Sequence, residues 1–195
     1  ELSNKFDLSG LDLAEKQISS DGTQKFLFML RDGHAIESVI IPMEKHYTFC
    51  ISSQVGCAMG CSFCATSRGG LVRNLTSAEI VEQVIHMQNH IDEDRPKSWN
   101  VVYMGMGEPL DNWNNVAISI ETFVNDQGFD ISPRRITIST SGHIQGLKQM
   151  MRSNHAVGLT ISVNSCDDSV RRKLMPIPGR TPLSKILDAA EEYSN

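Results

Sequence analysis

The residues best suited to chemistry are Cys57, Cys61 and Cys64, a C-x3-C-x2-C run with Cys50 seven positions upstream. Four of the chain's five cysteines thus fall within fifteen positions. Thiolates spaced this closely can face one centre from a single short loop, and Gly56 and Gly60 permit the tight backbone this needs. Soft thiolates select iron–sulfur clusters or zinc. Structural zinc usually joins two ligand pairs at longer separation, and no second C-x2-C pair is present. The spacing favours a cluster, with a zinc-binding module as the rival. Three cysteines are one short of a cluster's usual set, which would leave one iron open to a non-protein ligand. A structural disulfide is disfavoured by the local crowding and the absence of a secretory signal.

The elements that must position this loop can be read from periodicity. Residues 1–23 are polar and mixed, and are expected to be a loose lead-in or linker remnant. Residues 24–46 hold two strand-like runs, Lys25–Leu30 and Ile36–Ile41, flanking Asp32-Gly33, the pattern of a β-hairpin. From residue 47 onward strands and helices alternate, in about four βα units. Tyr47–Ser53 is expected to be a strand running into the cysteine loop. Thr76 with Glu79 predicts a capping box, Leu75 with Ile80 a hydrophobic staple, and Ile80, Val81, Val84, Ile85 and Met87 one apolar helix face. After a charged loop at 92–97, Trp99–Met104 reads as a strand buried on both faces. A helix over 112–126, a strand over 135–140, a helix over 143–153, a strand over 156–163, a short helix over 167–174 and a last helix opened by Pro182 follow. Such alternation predicts an α/β fold with a parallel sheet and right-handed crossovers.

Parallel sheets bind ligands at the C-terminal ends of their strands. The cysteine loop, Gly105–Pro109, Ser139–Gly142 and Ser162–Ser165 all fall at such ends. The two glycines before Glu108 would let a ligand approach the backbone closely, and its carboxylate could pair with an ammonium group; a glycine-rich turn with a surface glutamate is the plainer alternative. Serines at strand ends are, on chemistry alone, most often turn formers.

With 195 residues, 40% apolar and 21% charged, the chain has the balance of one globular domain. No apolar run approaches the roughly 20 residues of a membrane span. The net charge of −5 does not advertise a nucleic-acid binder. Basic pieces exist at Arg68 with Arg73, Arg134-Arg135 and Arg171-Arg172-Lys173 with Arg180, and read as ordinary solvated surface.

The cysteine run resembles the signature loop of radical S-adenosylmethionine (SAM) enzymes. The longer string Cys50–Cys57, with Arg73-Asn74-Leu75-Thr76 and Met104–Pro109, is similar to a narrower group: the adenine C2-methyltransferases of 23S ribosomal RNA and transfer RNA, and their C8-methylating relatives. The resemblance covers residues 20 to 195. It implies a partial (β/α)6 barrel preceded by the hairpin and truncated at its C-terminus. It also implies a [4Fe-4S] cluster on Cys57, Cys61 and Cys64 whose fourth iron chelates SAM. Gly107 and Glu108 would recognise the amino group of SAM, and Ser139, Ser162, Val163 and Asn164 would line its site. Glu37 would be a general base, and Cys50 would resolve a protein–RNA adduct. The implied partners are 23S rRNA, tRNA and a flavodoxin-type electron donor, and the implied compartment is the cytoplasm. Relatives carry a methylated cysteine near their C-terminus; Cys166 does not match it and is expected to be structural. C8 methylation, or radical chemistry on a substrate other than RNA, are the alternatives.

Overall fold

A computed structural model describes residues 10–91, 98–153, 155–176 and 181–194. The charged loop at 92–97, the break at Pro178-Gly179 and Arg180 lie outside the described residues. The backbone of the fold is one seven-stranded sheet of β1 (Leu11–Ile18), β2 (Gln24–Leu30), β3 (Ala35–Pro42), β4 (Tyr47–Cys50), β7 (Trp99–Tyr103), β8 (Ile136–Thr140) and β9 (Gly158–Ile161), in that order. The first four strands pair antiparallel, and β4, β7, β8 and β9 are parallel. Helices α1 (Ser77–Gln88), α2 (Trp113–Val124) and α3 (Ile144–Met151) make the crossovers between the parallel strands, and α4 (Asp168–Leu174) and α5 (Leu183–Ser194) follow β9. A separate two-stranded ribbon, β5 (Gln54–Gly56) with β6 (Leu71–Asn74), brackets the cysteine loop.

The parallel sheet and the hairpin are as the sequence predicts, but four local expectations need correction. Residues 11–18 are not a loose lead-in. They form an eight-residue strand that pairs with β2 and buries Leu11. Its other side chains are exposed, so it carries little of the apolar alternation by which strands are recognised. The strand from Tyr47 stops at Cys50, because Gln54–Gly56 leaves the main sheet to pair with β6. Trp99–Tyr103 alternates between buried and half-buried residues instead of being buried on both faces. In α1, Ile80, Val84 and Met87 are buried whereas Ile85 is exposed. Positions 80, 84 and 87 share a face at the helical period, and 85 lies more than a third of a turn from its centre.

The core forms where alternating strand residues meet these helix faces. Phe49 faces Val101, and Val101 faces Ile136, in register across three strands. Against them pack Ile80 and Val84 of α1, Val116, Ile120 and Phe123 of α2, and Leu147 and Met150 of α3, all buried. The entry to α1 is set as its sequence predicts. The Thr76 hydroxyl accepts from the Glu79 backbone N–H while the Glu79 carboxylate accepts from the Thr76 N–H, and Leu75 and Ile80 are fully buried. Arg73 extends this cap: it pairs with Glu79 at 2.8 Å and with Asp32 at the hairpin tip at 2.5 Å. One arginine thus ties the hairpin to the start of α1.

Candidate cluster and SAM site

The cysteine loop is held at three points. Cys57 N–H donates to the Gly70 carbonyl, Ser62 N–H donates to the Leu174 carbonyl at the end of α4, and Cys64 N–H closes a turn on Cys61. Gly56 enters the loop at φ 76°, a left-handed conformation where glycine is favoured. A Cβ there would strike the Gly70 carbonyl oxygen, so the close crossing of the two ribbon strands requires glycine. Beneath the loop, Cys57, Met59 and Met175 form a small buried cluster of their own.

Cys57, Cys61 and Cys64 line one cavity of about 400 Å³, together with Gly107, Glu108, Ser139, Ser162 and Asn164. Residues from the loops after β4, β7, β8 and β9 therefore meet at the C-terminal edge of the parallel sheet. Val163 does not line this cavity. Neither does Glu37, which points to the surface and pairs with Lys25 at 3.0 Å, nor Cys50, half-buried at the end of β4. Cys166 is exposed and stands apart from the cavity.

Several cavity residues escape a reading of the sequence: Ser67, Tyr103 and Met175 among them. Thr140 and Ser141, within the Ser139–Gly142 strand end picked out from the sequence, line the cavity beside Ser139. Nothing in sequence spacing marks Met175, which reaches the site from the end of α4. There the Asn164 side-chain amide donates to the Met175 sulfur at 2.9 Å, with Asn164 at φ 57°, a conformation asparagine tolerates.

The wall of the cavity is set by buried polar groups whose partners lie far apart in sequence. Glu108 is almost completely buried and its carboxylate accepts from Leu110 N–H, Ser141 N–H and the Ser141 hydroxyl, at 3.2, 2.9 and 2.7 Å. The Glu108 N–H donates to the Gln54 side-chain oxygen at 2.8 Å. Gln54, fully buried, in turn donates to Asn74 and Asp111. Asn112 donates to the carbonyls of Ser53 and Leu75. Below them, Gln83 of α1 brackets Ser52, accepting from its N–H and donating to its carbonyl, while the Ser52 hydroxyl accepts from Met106 N–H and donates to the Glu37 carbonyl. The strings around Cys50–Cys57, Asn74–Thr76 and Gly105–Asn112 are thus one interlocked unit that fixes Glu108 relative to the cysteines.

Burial raises the Cys57 and Cys61 thiols above the ordinary range. At Cys64 burial acts in the same direction but is outweighed by hydrogen bonds from Ser67 and Thr66, leaving that thiol below the ordinary range. The Ser67 hydroxyl is buried without a nitrogen or oxygen partner and faces the Cys57 and Cys64 sulfurs. Among the described residues no three His, Cys, Asp or Glu side chains are drawn together around a single ion. A four-iron cluster takes its thiolates at separate irons, so three thiols spread along one cavity wall, with a spare hydroxyl beside them, fit that group.

Burial also pushes the Cys50 thiol up to about 11, partly offset by a hydrogen bond from the Met104 backbone. This thiol is neutral near pH 7. Its contribution to stability is fully present below the ordinary thiol value of 9.0 and is lost as pH rises through about 11. Site-resolved alkylation followed by mass spectrometry should therefore show Cys50 reaching half its limiting rate near pH 11, and lagging far behind exposed Cys166 at about pH 7.5. Equal rates at that lower pH would contradict the burial argument.

Comparison with known proteins bears on the same residues. Residues 51–195 match the family described as the Radical SAM superfamily. The chain is 44% identical over 206 residues to the dual-specificity RNA methyltransferase RlmN of a Nitratiruptor species, covering 99% of this chain and 58% of that protein. It is 45% identical over 208 residues to the protein of the same name from Campylobacter hominis, with the same coverage of 99% and 58%. The chain therefore spans little more than half the length of these relatives. Among solved structures, a radical SAM methyltransferase from Sphaerobacter thermophilus superposes with a TM-score of 0.93 at 36% identity, covering 98% of this chain and 57% of that one. The superposition bears out the mixed α/β architecture with parallel strands. Membership of the superfamily implies an iron–sulfur cluster and SAM as cofactors. On the match over residues 51–195, the chain belongs to the radical SAM superfamily.

Proposed function

We propose that this chain is the cluster- and SAM-binding part of an RNA methyltransferase that methylates C2 of adenine in 23S rRNA and tRNA. The observation that carries this reading is the convergence of Cys57, Cys61, Cys64, Glu108, Ser139, Ser162 and Asn164 on one cavity. The RNA substrate is supported by similarity to proteins named dual-specificity RNA methyltransferases.

In this reading Cys57, Cys61 and Cys64 hold a [4Fe-4S] cluster, which with SAM supplies reductive carbon-radical chemistry. Glu108 receives the ammonium of SAM's methionine part on a carboxylate already oriented by Ser141 and Leu110. Gly107 leaves room for the ligand, while Ser139, Ser162 and Asn164 border it. Cys50 would act as a neutral thiol, able to give up its proton only when a nearby base or charge overcomes its burial. Glu37 would serve as a base only after leaving Lys25, 3.0 Å away. The electron donor would be a flavodoxin-type protein, and the compartment the cytoplasm. No helix among the described residues is long and apolar enough to cross a membrane.

The test is chemical analysis of RNA from cells lacking the gene and from complemented cells. Loss of 2-methyladenosine from digested 23S rRNA and tRNA, restored by complementation, is expected. Unchanged 2-methyladenosine, or loss of 8-methyladenosine instead, would overturn the C2 assignment.

A further inference from the structure

Arg171 is the one basic residue of the Arg171-Arg172-Lys173 run that is buried, with 3% of its surface exposed; the expectation of a wholly solvated basic patch fails at this position. Its guanidinium makes no ion pair among the described residues. Its Nε–H has no partner, and one terminal N–H donates to the Ser141 carbonyl at 2.5 Å. Burying a cation against a single neutral carbonyl is costly. Such a group is retained where its charge is needed.

The charge it serves is one residue away. Ser141 is gripped from both sides: Arg171 holds its carbonyl, while its N–H and O–H both donate to one oxygen of Glu108. Ser141 thus stands between the cation and the carboxylate, with a different group turned to each. By holding the carbonyl on the C-terminal side of the Ser141 Cα, the guanidinium fixes the backbone of that residue, so that the N–H on the other side of the Cα and the hydroxyl stay aimed at the carboxylate. Asp168, at the start of the same helix, does not compete for the guanidinium; its carboxylate accepts from the Leu183 N–H.

We propose that Arg171 is a positioning residue which, through Ser141, holds the Glu108 carboxylate oriented to receive the ammonium group of an α-amino-acid ligand. This rests on the reading of Glu108 as the ammonium-binding group. Arg171 does not line the cavity, and its effect on binding must pass through Ser141.

The discriminating probe is a pair of ligands: SAM, and the S-adenosyl analogue whose amine is replaced by a keto group. Affinities are measured by calorimetry on the anaerobically reconstituted protein, with iron content and thermal midpoint recorded for each variant. Arg171→Met is expected to weaken SAM about tenfold, the scale of one charge-assisted hydrogen bond. It should leave the keto analogue and the iron content unchanged, and Arg171→Lys should recover most of the loss. Ser141→Ala, which keeps the buried charge and is the milder change, should lower the preference for SAM over the keto analogue in the same direction. If Glu108→Gln abolishes that preference while Arg171→Met and Ser141→Ala leave it intact, the relay is wrong and the reading of Glu108 stands. If Glu108→Gln leaves the preference intact, the reading of Glu108 itself fails, and the relay with it. Equal weakening of both ligands by Arg171→Met, without rescue by Arg171→Lys, would reduce Arg171 to a packing role.

Discussion

Replacing Cys61 by alanine is expected to abolish cluster binding, taking iron in the reconstituted protein from roughly four atoms per chain to background. The other two thiols of the run remain on the cavity wall after the change, yet a cluster held by two thiolates has two irons exposed and is lost to solvent. Cys57→Ala and Cys64→Ala should have the same result. Cys166→Ala should not, because Cys166 is exposed and outside the cavity. Iron and acid-labile sulfide assays, with the absorbance of the cluster, check all four. Full iron in Cys61→Ala would show that a different set of residues holds the cluster. Loss of iron in Cys166→Ala would have the same meaning.

The second large effect is expected at Gly107. This residue sits at φ 102°, and a Cβ there would lie 2.6 Å from the Gln54 Cβ and 2.8 Å from the Gln54 backbone nitrogen. Gln54 is fully buried and cannot withdraw, since its side chain already binds Glu108 N–H, Asn74 and Asp111. The loop must therefore move, at a cost in strain and overpacking of about 2–4 kcal/mol for Gly107→Ala. Glu108 moves with it. A displacement on the order of 1 Å in a positioning group can cost about 100-fold, so SAM affinity should fall by roughly that factor. The cysteine loop is anchored separately, on Gly70 and Leu174, and should still take up iron. Calorimetric titration of SAM into cluster-loaded Gly107→Ala measures the effect. Unaltered SAM affinity would show that the Gly107–Glu108 loop does not contact the ligand.

What is legible in the sequence is whatever is written in local spacing. The three cysteines, the Thr76–Glu79 cap, the Leu75–Ile80 staple and the alternation of strands with helices need no knowledge of distant residues, and the structure carries all of them. The ribbon of β5 and β6 is hidden because each strand is short and their pairing spans the cysteine loop. Strand β1 is hidden because seven of its eight side chains face solvent.

The candidate site divides in the same way. Its reactive groups can be named from motif and strand end, but the groups that hold them cannot. Gln83 is a mid-helix glutamine, ordinary by composition, and is legible as a clamp on Ser52 only once α1 lies across that strand end. Arg171 sits in a run of three basic residues that looks solvated, and its burial depends on α4 folding back against the loop after β8. Ser52 and Gln83 are 31 residues apart, Ser141 and Arg171 30, so no short window of sequence contains both members of either pair.

The central claim is that three thiols on this cavity wall hold a cluster with one iron left open for SAM. Electron paramagnetic resonance of the anaerobically reconstituted, dithionite-reduced protein, recorded with and without SAM, tests it most directly. A reduced [4Fe-4S] signal whose g-values shift on adding SAM is the predicted result. A cluster signal indifferent to SAM, or bound zinc with no iron signal, would contradict it.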